Sequence, residues 1–538
     1  MIASPILRFF FPMQNPLGFG AIDFIALGLA VLLVAVIPAR ERILSTARAL
    51  AGRTVTCMVL IAALPIVLRL ALLAHHPVPT PRVADDFSYL LLGDTLAHFR
   101  LANPMHPLHR FFEAVFVIQD PAYSSIYPLG QGLALAFGQL IFRLPWAGVA
   151  LSVGGLCALC YWMLRAWISP PWALLGGVLP AIEFGPLSPW MNTYWGGAVS
   201  GIAGCLVFGT LPRLKHSRRT RDAVLLGIGL SLQLLTRPFE FVLLVVIVML
   251  YFAPVRSLMI AGLVLLPAIG LTLLQNKQVT RSWTTLPYQL SRYQYGIPTT
   301  FTFQPNPIPH LPLTLEQQID YDAQADARRQ SIGRVRFLRF FVLAPLYLVL
   351  PFFLLTLRQY RFVWIAIALG LFWLGDAFYP YFYPHYIAAA TCLFVLVSMT
   401  GLEKLSRWSR EAATLILILC LAHFVFWYGV HLSGNQNLLI ALSPEESWDS
   451  INYGDSEGRI AINSRLASAE GKQLVFVRYW PQHGAHEWIQ NRADIDQSRV
   501  VWAIDLGATE DETLRRYYPD RHAWLLEPDA HPPRLTPY

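Results

Sequence analysis

Charge is scarce in this chain: 14% of its 538 residues are Asp, Glu, Lys or Arg, where a soluble protein carries about 25%. That shortage excludes an ordinary soluble fold. Hydrophobic residues make up 55%, and the mean hydropathy is +0.46. Cysteine is also scarce. All six (Cys57, Cys157, Cys160, Cys205, Cys392 and Cys420) fall in apolar stretches, which excludes a disulfide framework in the polar segments. Cys157-x-x-Cys160 has the spacing of a redox or metal pair but no nearby histidine. Two small apolar fillers in a lipid-embedded helix are the simpler reading. The first apolar stretch lacks a basic leader and a small-residue cleavage site, so it reads as a span and not a signal peptide. Related halves with interrupted helices in matching places, common in transporters, are missing too.

What is present is a series of apolar runs near the ~20 residues that a helix needs to cross a bilayer. They lie at 20–39, 54–74, 128–143, 146–165, 171–186, 194–212, 222–236, 238–254, 257–275, 340–357, 362–380, 385–402 and 412–432. In lipid, backbone groups must be satisfied within helices. The expected fold is an all-α polytopic membrane bundle over 1–432, with about 12–13 transmembrane helices. Residues 433–538 differ. They carry 10 Lys+Arg against 16 Asp+Glu (−6), and the remainder 31 against 17 (+14), which together give the net +8. The basic balance therefore belongs to short membrane loops and does not indicate nucleic-acid binding. Leu474–Tyr479, Val500–Ile504 and Ala523–Leu526 read as strands and Glu510–Tyr518 as a helix between them. A small soluble α/β domain is expected there, on the periplasmic side.

Two basic loops set the orientation. Arg40, Arg42, Arg48 and Arg53 fill one, and Arg213, Lys215, Arg218, Arg219 and Arg221 the other. Both read as cytoplasmic. The segment after 54–74, the loop 276–335 and the C-terminal tail then lie outside. Three spans separate the first of these from 187–193. An even count requires that 128–143 or 171–186 stop short of crossing. Arg328, Arg329, Arg334, Arg336 and Arg339 fall on the outer side against the usual bias, which weakens in loops of ~60 residues.

Against this background Ala84-Asp85-Asp86-Phe87-Ser88-Tyr89 is the most informative motif. Two adjacent carboxylates sit where a helix leaves the membrane. They are suited to binding a cation or taking a proton from a hydroxyl. Phe87–Phe99 can form a helix with an apolar side, lying on the membrane surface. The modest alternative is an N-cap at Asp85 and a dipole contact at Asp86. Ionisable groups in membrane helices are costly and usually paired or functional. Arg69, Glu183, Arg237, Glu240, Asp376 and His385 all fall on the Asp85 side, so an outward-opening polar cavity is expected. An ion pair of Arg237 with Glu240 is the alternative use of that turn. Lys277, Arg281 and Arg292 lie among Tyr288, Tyr293 and Tyr295, a mixture that suits a sugar phosphate or a headgroup-level belt. Gln482-His-Gly-Ala-His-Glu487 brings His483, His486 and Glu487 together. A polar loop explains them without a metal.

The chain resembles the GT-C superfamily of integral-membrane glycosyltransferases, which includes the protein O-mannosyltransferases and lipid A aminoarabinose transferase. The likeness covers most of 54–402. It rests on the helix 54–74, the long loop opened by Asp85-Asp86, its closing word Tyr127-Pro128-Leu129-Gly130, and the later large loop 276–335. Asp-Phe-Ser-Tyr-Leu-Leu at 86–91 and Tyr-Pro-His-Tyr at 383–386 place it nearest to uncharacterised bacterial members. Asp-Asp replaces the usual Asp-Glu or Asp-x-Asp, which leaves open which carboxylate is the base. The Trp-Trp-Asp word of oligosaccharyltransferases is absent, arguing against that branch. The helix 20–39 and the C-terminal domain are additions.

The resemblance implies transfer of a sugar from a polyprenyl-phosphate donor to a hydroxyl acceptor, at the external face of a bacterial inner membrane. Asp85 or Asp86 would be the catalytic base. Arg237, Glu240, Tyr288, Arg292, His385 and Tyr386 are the expected substrate-binding residues. Membrane lipid, the lipid-linked donor and a glycan, lipid or protein acceptor are the partners. No cofactor is required, and a divalent cation on Asp85 and Asp86 is left open. A flippase for a lipid-linked glycan and a noncatalytic scaffold presenting 433–538 are the competing functions.

Overall fold

The computed structural model describes residues 49–251, 254–327, 340–380, 383–442, 458–484 and 486–538, with 25, 28 and 29. The expected span 20–39 lies almost wholly outside the described residues. So do Arg40, Arg42 and Arg48 and the cluster Arg328, Arg329, Arg334, Arg336 and Arg339.

The other expected spans each coincide with helix. Among the described residues, five helices are long and apolar enough to cross a membrane: Thr54–Ala74, Pro145–Leu164, Val255–Thr280, Pro384–Trp408 and Arg410–Ser433. Proline sets many of the starts. It occupies the first turn of Pro145–Leu164, Pro170–Glu183, Pro238–Leu250 and Pro287–Tyr295. There its missing N–H costs nothing and its φ suits a helix. Prolines also break the span expected at 340–357 into a 3-10 stretch, Ala344–Val349, and one short helix, Leu350–Leu354. Leu129–Phe142 and Pro170–Glu183 are 14 residues each. These are the two segments from which the loop arithmetic required one to stop short.

A single apolar core runs through the bundle, from Cys57 and Ile61 to Ile416 and Cys420. All six cysteines are buried and free. Close crossings use small residues, as expected where helices meet in lipid. A Cβ on Gly204 would collide with the backbone of Ala389.

Residues 458–538 form the α/β head. Helix Arg459–Ser468 leads into strand β3 (Lys472–Val477), then β4 (Val500–Ile504), helix Ala508–Tyr517, β5 (Arg521–Glu527) and β6 (Arg534–Pro537). The order is β4-β3-β5-β6. β3 is parallel to β4 and β5, and β6 is antiparallel to β5. The earlier pair β1 (Val117–Ile118) and β2 (Ser124–Ser125) is antiparallel. The head does not close its core alone. Leu91, Phe111, Phe112, Ala114, Val117 and Tyr123 share one cluster with Val475, Phe476, Trp488 and Val501.

The Asp-Asp helix is Ala84–Ala97. It does not lie free on a surface. Gly93 and Leu92 meet Leu135 and Gly132 of the bundle, while Leu91 joins the core of the head. It is the joint between the two.

Candidate active site

Pro81 ahead of the turn and an extended Val83 (φ −109°, ψ 158°) start the helix at Ala84. The Asp86 carboxylate accepts from the backbone N–H groups of Arg82 (3.1 Å), Val83 (3.5 Å) and Tyr194 (2.8 Å). It satisfies donors that a helix start leaves open and pins the distant 194 segment. Asp86 is only 2% exposed. Burial raises its carboxyl to about 6, while the three backbone bonds pull it down. Capping therefore falls to Asp86 and not to Asp85.

Asp85 takes the other role. Its carboxylate accepts from the hydroxyl of Tyr127, its one hydrogen bond to another residue among those described. The Tyr127 ring lies flat on Tyr89, centroids 4.1 Å apart. Gln275 holds the Tyr127 carbonyl at 2.9 Å. Burial pushes the Asp85 carboxyl up; the Tyr127 hydroxyl and the charge of Arg237 act against it.

Arg237 is the single residue between helices Thr220–Thr236 and Pro238–Leu250. Its N–H closes the first helix on Gln233 at 2.7 Å. Pro238 then forces the break. The guanidinium lies over the Tyr386 ring, 5.0 Å from its centroid, a cation–π contact. Arg237 and Glu240 make no ion-pair contact within 4.0 Å among the described residues, but each acts on the other's charge across the cavity. Gly130 explains how Arg237 comes so near Tyr127. A Cβ there would strike the Thr236 side chain and the Leu235 backbone.

Arg292 is braced by the carbonyls of Pro298 and Thr299, each at 3.1 Å, and lies 5.8 Å from the Tyr288 ring centroid. His385 packs edge-on to Trp195 at 4.6 Å. Its Nδ1 is buried with no hydrogen-bond partner among the described residues.

These groups face one cavity of about 940 Å³. Every expected site residue lines it: Asp85, Asp86, Arg237, Glu240, Tyr288, Arg292, His385 and Tyr386. The cations Arg237 and Arg292 each lie by an aromatic ring, Tyr386 and Tyr288. Asp320, Gln324 and His486 also line it and were not foreseen. For Asp320 and Gln324 the one signal is the spacing Glu316-x3-Asp320-x3-Gln324, one face of a helix; His486 stands out in Gln482–Glu487 but reads as part of a polar loop.

Other expected contributors are elsewhere. Arg69 is fully buried and spent on Asn192 (2.8 Å) and the carbonyls of His76 (2.9 Å) and Pro77 (2.8 Å). Lys277 caps its own helix on the Arg281 carbonyl. Glu183 and Asp376 do not line the cavity. Glu487 accepts from Val115 N–H, Ile489 N–H and the Tyr479 hydroxyl, and His483 is bonded to Glu316 and Asp529. Among the described residues no group of three or more His, Cys, Asp or Glu is arranged to hold a metal. Asp86 is committed to backbone donors, so the cation left open on Asp85 and Asp86 finds only one carboxylate available. That donor set does not fit a divalent cation.

No protein-family model matches the chain, and no curated protein matches it in sequence. Its structure does have counterparts. ArnT from Cupriavidus metallidurans in the apo state superposes with a TM-score of 0.50 at 10% identity, covering 87% of this chain and 92% of that one. The same protein bound to undecaprenyl phosphate gives 0.47 at 11% identity, covering 87% and 92%. An Archaeoglobus fulgidus oligosaccharyltransferase tethered to an acceptor peptide gives 0.46 at 12%, covering 88% and 68%. The fold is thus like that of ArnT over most of both chains, which agrees with the fold that the sequence words led us to expect. The chain is a multi-pass membrane protein.

Proposed function

We propose that this protein transfers a sugar from a polyprenyl-phosphate donor to a hydroxyl acceptor, at the external face of a bacterial inner membrane. The observation that carries the reading is one cavity in which the Asp85 carboxylate, held by Tyr127, faces the guanidinium of Arg237, which makes no ion pair within 4.0 Å among the described residues. That pairing matches the charge changes of glycosyl transfer. As the acceptor oxygen attacks the anomeric carbon, its proton passes to Asp85. The bond from that carbon to the phosphate oxygen breaks, and the electron pair leaves with the phosphate. Arg237 and Arg292 offset the charge that grows there. Attack opposite the leaving group inverts the anomeric centre. Holding both substrates in one cavity supplies the proximity gain. A lipid-linked donor suits a cavity at the head of an apolar bundle. The basic loop Arg213–Arg221 supports placing the cavity outside.

Asp86 then serves the fold and Asp85 the chemistry. Asp85→Asn is expected to leave the protein folded in the membrane and to cut transfer by ~10²–10⁴. Asp86→Asn is expected to cost about 1–3 kcal/mol of stability through its lost backbone bonds, with transfer per folded molecule reduced far less. The assay is turnover of the lipid-linked sugar that accumulates in cells lacking the protein. Undiminished transfer by Asp85→Asn would sink the base assignment.

A further inference from the structure

The head reaches into the cavity. Helix Leu315–Ala327 lies between them, and Glu316, Asp320 and Gln324 share one of its faces. Glu316, 5% exposed, is bonded to Nε2 of His483 in the loop after β3. Nδ1 of His483 is bonded to Asp529, whose second oxygen accepts from Trp480 N–H at 2.8 Å. The imidazole therefore ties the helix to both ends of the head's loop structure. One turn further on, the Gln324 amide donates to Asp320. Asp320 and Gln324 line the cavity with Asp85, and so does His486, three residues after His483.

We propose that the head is a working part of the site: His483, by gripping Glu316, is a positioning residue that holds Asp320 in the cavity, where its charge acts on Asp85. This rests on the transferase reading. Asp85 faces one cation, Arg237, and the Tyr127 hydroxyl, both of which weaken it as a base. The neighbouring acids are Asp86 and Asp320. The hydroxyls of Tyr89, Tyr383 and Tyr386 also face it, and Arg82, Glu240, Arg292, His385 and His486 share the cavity. Asp86 is neutralised in part by its backbone donors, and Glu240 answers the charge of Arg237; Asp320, whose own carboxyl is raised to about 7 by burial and by the charge of Asp85, is the remaining acid that bears on Asp85. A like charge strengthens a carboxylate's hold on a proton, which is what a base for a hydroxyl needs.

Two measurements on the full chain in detergent test this. Hydrogen exchange comes first. His483→Ala is expected to speed deuterium uptake across 315–324 by about tenfold or more, with 472–477 unchanged. Glu316→Gln should loosen the same segment from the other side should His483→Ala not fold. His483→Gln, which keeps a donor for Glu316, should restore most of the protection. The second measurement is the pH profile of kcat/KM, with lipid extract from cells lacking the protein as donor. Asp320→Asn should move its acidic limb down by about half to one pH unit, with exchange across 315–324 as in the parent. Unchanged exchange in both His483→Ala and Glu316→Gln, or an unmoved limb in Asp320→Asn, overturns the proposal. A parent protein without any transfer would defeat the transferase reading alone, and the exchange result would still decide the His483 clamp.

Discussion

Two sets of buried charge lie within a short distance of each other, and they are built on opposite rules. At the joint under the head, each principal group is answered. Glu487 takes three donors, and His483 sits between two carboxylates. In the cavity, among the described residues, Arg237 has an aromatic face and no ion pair within 4.0 Å, His385 keeps a buried nitrogen without a partner, and Asp85 has one hydrogen bond to another residue, from the Tyr127 hydroxyl. Answered charge holds a structure together. Charge left open costs stability and persists where something else completes it.

The largest expected effect that sharpens this contrast, after loss of Asp85, is Arg237→Gln. Transfer should fall by about 10²–10³, the scale for losing one preorganised group at a developing charge, while thermal stability holds or rises. A fall in stability matching the fall in transfer would make Arg237 a structural residue. Glu487→Ala should behave in reverse. It strands the N–H groups of Val115 and Ile489 and the Tyr479 hydroxyl, at about 1–3 kcal/mol for each left unsatisfied. The melting temperature should drop, with turnover per folded molecule nearly kept.

A pH titration of stability separates the two regions further. Burial and the charge of Glu316 push Glu487 up to about 7 from an ordinary 4.5, against its three hydrogen bonds. The folded joint holds a proton there that the unfolded chain releases earlier. That stabilisation is therefore lost as pH rises through about 7. For His483, burial opposes the charge, but the bonds to Glu316 and Asp529 outweigh it and raise the pKa. Its contribution is complete below about 6.5 and is lost as pH climbs through the raised value. The melting temperature should fall from pH 5 to pH 9, with the upper part of that fall flattened in His483→Gln. The smallest effect belongs to Lys277→Ala. Its ammonium serves only the Arg281 carbonyl at an exposed helix end, so transfer should change by less than about twofold.

Much of this was legible in the sequence, for reasons that differ by region. Val500–Ile504 was read to the residue because a β-branched, apolar run between polar segments has few alternatives. Strand β6 was not, since Pro533 and Pro537 bound a short edge strand made only by pairing with β5. In the cavity, Arg237, Glu240, His385 and Tyr386 announced themselves because charge or polarity within apolar helices is exceptional. Asp320 did not, and His486 was set aside as part of a polar loop, because polar residues in a polar segment look solvated until the fold covers them. The division of labour between Asp85 and Asp86 was out of reach. It depends on the Tyr194 N–H, 108 residues away in sequence. Arg69 looked like a cavity residue for the same reason that Arg237 did, and only its three oxygen partners separate them.

Helix Leu129–Phe142 begins right after Tyr127 and Pro128, both in the cavity wall. Fourteen residues of helix measure about 21 Å, some 9 Å less than a hydrocarbon layer of about 30 Å. On the proposed orientation, a cavity at the head of so short a helix would lie below the outer headgroups, at a depth where lipid chains are the neighbours. A prenyl phosphate would then reach Asp85 sideways, without being lifted out of its leaflet. The acceptor would come down to it, and the depth of one helix would decide which substrate travels.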